Sequence, residues 1–407
     1  MFKLLRQRNF GLLWFAGLTS MIGDWVLFIA LPIYTYNLTQ SSLATGIMFM
    51  AGTLPRILLG SVAGVYVDRW DRQRTMVIAD LSRAVLLLLL LLVRSAEWIW
   101  IIYLVAFLQA IISQFFGPAE NALLPQLVDE SQLVAANSLN SLNNNLARLG
   151  GPALGGILLG SFGFQNVVLI DSLSFLISGI MIAFIAQAPS ASPHTSETIE
   201  DSPIASQPNV WQEWLAGLGF IKQSSIVLVI FLVMALAGIA EGLFNVMFVI
   251  FVRQELDGEA LEFGWLTSAQ AIGGLMGGLL IGWIGNRIQA NRLTGLLALN
   301  GVLILLLANL PSLPIALVAL LLAGIPIVGF SVGVDTLLQR HVADRYRGRV
   351  FGALGTSMSI FMLIGQGASS LLGDRLGPVP LLDLKGFFDI TAGLLAFLLL
   401  TRVNKGQ

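Results

Sequence analysis

The sequence predicts an all-α integral membrane protein of twelve transmembrane helices, arranged as two pseudo-symmetric six-helix bundles. Three observations carry this prediction: too few charges for a water-soluble body, apolar runs of helical length, and an internal repeat. Of the 407 residues, 56% are hydrophobic and only 11% are charged. Soluble domains carry roughly 25% charged residues, and a bilayer removes the need for a charged surface. The formal net charge is −1, so no global basic character points to nucleic acid. The absence of cysteine excludes disulfides, thiolate metal sites and a cysteine nucleophile. The two histidines, His194 and His341, fall in predicted loops far apart in sequence and read as solvated loop residues rather than metal ligands.

A helix needs roughly 20 mostly apolar residues to cross a bilayer. Twelve segments meet this: 10–36, 43–67, 75–93, 98–122, 137–160, 167–187, 225–252, 264–285, 293–310, 314–334, 350–372 and 381–401. They are too long for barrel strands and lack alternation with a period of two. The first follows Lys3, Arg6 and Arg8, as a signal peptide would. Its apolar run continues to Tyr36 with no early small-residue cleavage site, so it is read as a retained span.

Lysine and arginine set the orientation. With the N-terminus inside, fifteen basic residues fall on the inner side, including Arg69, Arg72, Arg74, Arg345, Arg347 and Arg349. Only Arg94, Arg253, Arg375 and Lys385 are counted on the outer side. The positive-inside rule then places both termini in the cytoplasm of a cell whose plasma (inner) membrane holds the chain. Arg56, Arg83 and Arg148 lie within spans.

Between the sixth and seventh spans the composition shifts to proline, serine, threonine and acids. This predicts three units: an N-terminal bundle (1–187), a cytoplasmic linker (188–224) and a C-terminal bundle (225–407). Within the linker Trp211, Trp214, Leu215, Leu218 and Ile221 share one helical face, as in a helix lying along a membrane surface.

The halves repeat. Gly64, Arg69 and Arg74 match Gly282, Arg287 and Arg292 at a shift of 218 residues, and the same shift carries Gly46 onto Gly264, Ala51 onto Ala269 and Gly60 onto Gly278. A shift of 217 carries Asp24 onto Glu241, each near the middle of the first span of its half. Repeats of this kind mark secondary transporters, whose halves rock about a site between them.

Two motifs stand out. Gly64, Asp68, Arg69, Arg72 and Arg74 close the second span, where Gly60 and Gly64 would let that helix approach a neighbour. Gly151-Pro152 and Gly155-Gly156 in the fifth span combine a missing hydrogen-bond donor with small surfaces, which predicts bending and tight packing. The run from Gly273 to Gly278 lies inside a span with no preceding strand, so it reads as packing glycines rather than a nucleotide loop. No Gly-x-x-x-x-Gly-Lys-Ser/Thr segment occurs, so ATP hydrolysis by this chain is excluded and no cofactor is called for. No histidine lies near a plausible nucleophile. An intramembrane enzyme built on Asp24 and a non-transporting receptor or scaffold are the competing classes.

In its layout, linker, basic loop and fifth span the chain resembles the major facilitator superfamily over nearly its whole length. Asp71 and Gln73 depart from the loop motif. The Gly-Pro-x-x-Gly-Gly stretch is similar to the signature of proton-driven exporters, and the segments 133–140 and 145–148 resemble the macrolide-efflux and siderophore-export branch. The arginine that many relatives carry in the fourth span, before Phe107-Leu108-Gln109, is here Ala106, so its proton-handling role does not carry over.

The resemblance implies a monomeric transporter, not an enzyme, working by alternating access. Its expected activity is proton-coupled export of an amphiphilic organic solute such as a drug, macrolide or siderophore-like molecule, with uptake of a solute or lipid as the alternative. It also implies a central cavity, with Asp24, Trp25, Gln109, Ser113, Gln114, Asn144, Arg148, Glu241, Asn245 and Gln270 as candidate liners. A buried charge needs a partner or water, and Asp24 is the partner expected for Arg148. Asp24, Glu241 or both are expected to carry the exchanged proton or to hold a cationic group of the substrate. Asp68, Arg72 and Glu120 are expected to form a charge cluster at the inner face. Asp68 would meet the start of the eleventh span near Arg347 and Arg349, latching the inner face shut.

Overall fold

The computed structural model describes residues 2–60, 63–67, 69–186, 225–284, 290–342 and 344–405. Twelve α-helices account for nearly all of them, in chain order. In the first half these are α1 (Arg8–Thr39), α2 (Ser42–Leu59), α3 (Ala63–Val67), α4 (Arg72–Leu87), α5 (Ile99–Leu123) and α6 (Leu133–Ala183). The second half holds α7 (Ser225–Gln254), α8 (Ala260–Ile284), α9 (Ala290–Asn309), α10 (Leu313–His341), α11 (Asp344–Leu376) and α12 (Pro378–Lys405). No strand occurs among the described residues.

Nine helical stretches among the described residues are long and apolar enough to cross a membrane, and Thr294–Asn309 is a shorter apolar helix. Large apolar side chains face outward: Ile78, Val85, Leu173, Leu279 and Leu371 are each more than half exposed. A continuous apolar exterior of this kind needs lipid rather than water against it. The chain is a multi-pass membrane protein.

One departure from the sequence reading concerns continuity. The fifth and sixth predicted spans are not separated by a loop: α6 runs through residues 161–166 and is broken only at Gly163, where φ is 76°. Glycine alone reaches that left-handed region without steric cost, so one residue does the work expected of a loop. At Pro152 the backbone keeps helical dihedrals. In the second predicted span α2 ends at Leu59 and α3 begins at Ala63, and residues 61–62 lie outside the described residues. The linker, its surface helix, His194 and Asp68 lie outside the described residues.

Asn9 donates to the Ala186 carbonyl at 3.0 Å, so the chain has returned to its starting face by the end of α6. That face is called proximal here, and the opposite one distal. The halves meet across two seams, α2 with α11 and α6 with α8, both built on glycine. A Cβ on Gly46 would collide with Ser370, and one on Gly373 with Ser42. Gly156 faces the Ala260 carbonyl in the same way, and Gly264 faces Pro152 and Gly156. Small residues bring helices close in lipid, where dispersion and hydrogen bonds replace the hydrophobic drive. Gly151 and Gly155 press instead on Trp25 and Val26 of α1, so one motif serves two neighbours. Gly273 and Gly277 admit the carbonyls of Leu321 and Ile325 on α10, as packing glycines do. Gly64 differs, because nothing lies within 4 Å of its Cβ position. It does not bring α3 onto a neighbour.

Candidate functional site: paired charges and a cavity between the halves

At the distal end the seams are locked by polar contacts. Asp374, near the end of α11, accepts from the backbone N–H of Ser42 at 2.6 Å and from the Ser41 hydroxyl at 3.1 Å. A carboxylate at a helix N-terminus meets unsatisfied N–H groups and the positive end of the helix dipole. An acid of one half thus caps a helix of the other. Gln254 of α7 donates to the Tyr36 hydroxyl of α1 at 2.6 Å. Deeper in, Gln366 donates to the Thr53 hydroxyl at 3.2 Å, and the Ser268 hydroxyl donates to the Leu149 carbonyl at 3.0 Å.

Below this closure lies a cavity of about 190 Å³. Trp25 and Phe28 of α1, Arg148 of α6, Glu241 and Asn245 of α7 and Gln270 of α8 are among its walls. A second cavity of about 250 Å³ shares Arg148 and Ala271 with it and continues along α8. Aromatic walls with a few polar groups are what sites for organic ligands present. From Ala106 to Pro118 no residue of α5 is buried, so this helix also borders open space.

The structure corrects the expected partner of Asp24. Its carboxylate pairs with Arg83 of α4, not with Arg148. Arg83 also donates through Nε to Gln109 at 2.8 Å, and its guanidinium lies 3.9 Å from the centroid of the Phe175 ring. The Arg83 side chain is 8% exposed and that of Asp24 45%, so the cation is held inside the bundle while the acid reaches the open space. The geometric reason is the crossing of α1 and α6. Gly151 backs onto Trp25, and Arg148, almost one turn before it, extends across the seam to within 3.8 Å of the Gly274 Cβ position. Two further acids are buried nearby. Asp171, beside Gly23, bonds Ser174 and leaves Oδ2 without a partner. Asp80 accepts from the Ser178 hydroxyl at 2.5 Å.

The C-terminal half holds a matching cluster. Lys385 and Asp389 of α12 form a buried pair at 2.6 Å, each side chain 3% exposed. Asn300 of α9 donates to the same Asp389 oxygen at 2.7 Å. Glu241 shares the first cavity with Arg148 and is one turn before Phe244, whose ring centroid is 5.4 Å from the Lys385 amine. The count of Lys385 among outer basic residues is therefore corrected: its position four residues before Asp389 places it on the inward face of α12, where the pair shields both charges.

The remaining expected residues divide. Trp25, Arg148, Glu241, Asn245 and Gln270 share the first cavity, whereas Gln109 is engaged by Arg83. Ser113 and Gln114 each bond the Ala110 carbonyl, and Asn144 bonds the Asn140 carbonyl. The expected cluster of Arg72 with Glu120 is not formed. Arg72 donates to the Ala122 carbonyl at 3.4 Å, and Glu120 turns toward α1, its Oε1 lying 3.8 Å from the Gly17 Cβ position. Arg347 donates to the Gln339 carbonyl at 2.6 Å inside its own half, and the side chain of Arg349 lies outside the described residues. The sequence reading noted Arg83 within a span but gave it no role, and it passed over Asp171 and Asp389. Their signal was available, since an ionisable residue within a span is a functional candidate by default.

Comparison with known proteins agrees with this architecture. The major facilitator family described as transmembrane secretion effector matches residues 1–372. The macrolide efflux protein A of Streptococcus pyogenes is 27% identical over 375 residues, covering 91% of this chain and 90% of that protein. The multidrug efflux pump Tap of Mycolicibacterium fortuitum is 28% identical over 356 residues, covering 85% and 84%. Two solved structures share the fold. A bacterial homologue of the iron transporter ferroportin, in an inward-facing state, has a TM-score of 0.74 at 16% identity, covering 97% of this chain and 98% of that one. The nucleoside transporter NupG has a TM-score of 0.77 at 12% identity, covering 97% and 99%.

Proposed function

The chain belongs to the transmembrane secretion effector family of major facilitator transporters, and from that premise we propose that it exports an amphiphilic organic solute by alternating access, driven by protons. The observation that carries this reading is the cavity between the halves, where Trp25, Phe28 and Phe244 stand beside Glu241 and Arg148. Such a surface takes an apolar ring system together with one charged group. The export direction and the drug-like class rest on the relatives named for macrolide and multidrug efflux.

In this reading the chain crosses the bacterial inner membrane twelve times, with α6 supplying two crossings, and both termini are cytoplasmic. The proximal face is then the cytoplasmic one. The distal seams, closed by Asp374 and the glycine contacts, are the outer gate. Substrate enters from the cytoplasm or inner leaflet past α5 and reaches Glu241 and Trp25. Asp24 and Glu241 carry the coupling. Each sits mid-bundle, near a cation and within reach of water, so gain of a proton on one side and loss on the other switches the ion pair holding that half together. Asp68, Arg72 and Glu120 latch the cytoplasmic face when it closes. That state differs from the one described here, in which Arg72 and Glu120 are apart.

The test is a panel of macrolides, dyes and siderophores scored for efflux from expressing cells, with and without a protonophore. The proposal expects lowered accumulation of at least one amphiphile, abolished by the protonophore. Efflux untouched by the protonophore removes proton coupling, and accumulation raised by expression reverses the direction.

A further inference from the structure

The internal repeat reaches further than the acids Asp24 and Glu241. The shift of 217 that relates them also carries Arg83 onto Asn300, and a shift of 218 carries Asp171 onto Asp389. In both halves, then, an acid on the first helix, a hydrogen-bond donor on the third and an acid on the sixth stand at equivalent positions. What differs is where the cation sits. In the N-terminal half it is the third-helix donor itself, Arg83. In the C-terminal half that donor is neutral, and the cation has moved to Lys385, one turn from Asp389.

The amine of Lys385 is paired with one acid and lies near the face of α7 that carries another, since Phe244 is one turn after Glu241. Asp389 binds it directly at 2.6 Å, and the amine's charge acts on Glu241. It lies 5.4 Å from the centroid of the Phe244 ring, and Phe244 and Glu241 both line the first cavity. Lys385 itself is shut away behind that ring. The other charge facing Glu241, Arg148, is on α6 of the opposite half and also lines the cavity.

We propose that Lys385 is a counter-ion relay for Glu241, its ammonium shared between Asp389 and Glu241 according to the charge that Glu241 carries. With Glu241 ionised, the ammonium leans toward it. When Glu241 takes a proton from water, or binds a cationic group of the substrate, the ammonium falls back on Asp389. Asn300, which donates to the Asp389 oxygen, stabilises that carboxylate while the ammonium is away. The cost of a buried unpaired cation is thereby avoided in both states, and Glu241 is free to change charge. Lys385 stays protonated throughout, and the proton on Glu241 comes from and returns to water. Lys385 and Asp389 are positioning residues. The inference rests on the proposed coupling role of Glu241.

The chain has four lysines, Lys3, Lys222, Lys385 and Lys405, so ¹⁵N-lysine labelling reports the buried ammonium with little overlap. In detergent-solubilised full-length protein the Lys385 ammonium resonance, assigned by its loss in Lys385→Arg, should move as pH is changed. In Glu241→Gln it should stay fixed. A resonance that ignores pH in the wild type, or that moves identically in Glu241→Gln, overturns the relay. A second arm uses Lys385→Met combined with Asp389→Asn, which leaves no unpaired charge. With ethidium and erythromycin as probes, proteoliposomes of this double variant should retain probe exchange but lose gradient-driven efflux by about tenfold or more. Wild-type pumping by the double variant shows that the pair is only structural. If Glu241→Gln itself pumps normally, the coupling role of Glu241 fails, a result distinct from either of these.

Discussion

The two halves solve one electrostatic problem in different ways. In the N-terminal half the cation is Arg83, held within the bundle, and the acid it grips, Asp24, is half exposed. In the C-terminal half the ion pair of Lys385 and Asp389 is buried as a unit on α12, and the acid facing the cavity, Glu241, is on α7. The first arrangement couples the exposed acid to its cation directly. The second places a reserve pair behind the acid. What the repeat preserves is the position of the acids, while the counter-ion is supplied from whichever helix lies close enough.

The largest effect that separates the halves concerns Arg83. Its removal leaves Asp24 without its partner and Asp171 and Asp80 without a nearby cation, so Arg83→Met should destabilise the fold by about 2 kcal/mol, as loss of a hydrogen bond to a charged group does. Arg148→Met, facing a cavity, should cost under about 1 kcal/mol in thermal unfolding, as a solvated charge does, while still lowering efflux. A double-mutant cycle sharpens this: Asp24→Asn and Arg83→Met should be strongly non-additive, Asp24→Asn and Arg148→Met additive within about 0.5 kcal/mol. Coupling of the second pair but not the first would restore the partnership read from sequence.

That misreading shows where the sequence is informative. The fold class follows from apolar run length, which the bilayer enforces on every span alike. The acids Asp24 and Glu241 follow from the same argument, because a charge within a span is conspicuous. Their partners do not, because pairing depends on which faces of α1, α4 and α6 meet. Gly151 sets that geometry by its contact with Trp25, and no periodicity records it. The break at Gly163 escaped for a related reason, since one left-handed glycine leaves no loop composition behind. The seams were partly legible: Gly46 and Gly264, matched by the repeat, face the opposite half at α11 and α6 respectively.

Those seams supply the next comparison. Gly156→Leu should hold α6 and α8 apart, because the Cβ alone would meet the Ala260 carbonyl. With the distal face unable to close, a cysteine at Gln114, introduced into a chain that has none, should react more slowly with an impermeant maleimide from the proximal face. Gly46→Leu should act alike through the other seam. A clear response from one seam alone would break their equivalence.

A smaller effect is expected at the polar lock. Asp374→Asn keeps an acceptor but loses the charge at the α2 N-terminus, worth about 0.3–1 kcal/mol. It should shift the same labelling rate by about two- to fivefold. Smallest is Gln366→Leu, which removes one hydrogen bond to Thr53, since such bonds between spanning helices average about 0.6 kcal/mol. Its labelling rate should change by less than about threefold.

The most direct test of the account measures pumping and proton movement together. Proteoliposomes holding a probe from the efflux panel are given an imposed pH gradient, and probe flux and proton flux are followed for wild type, Asp24→Asn and Glu241→Gln. The wild type should move probe against its concentration gradient with a matching proton flux. Each variant should still exchange probe across the membrane but fail to concentrate it. Gradient-driven accumulation by both variants, with proton flux unchanged, would contradict it.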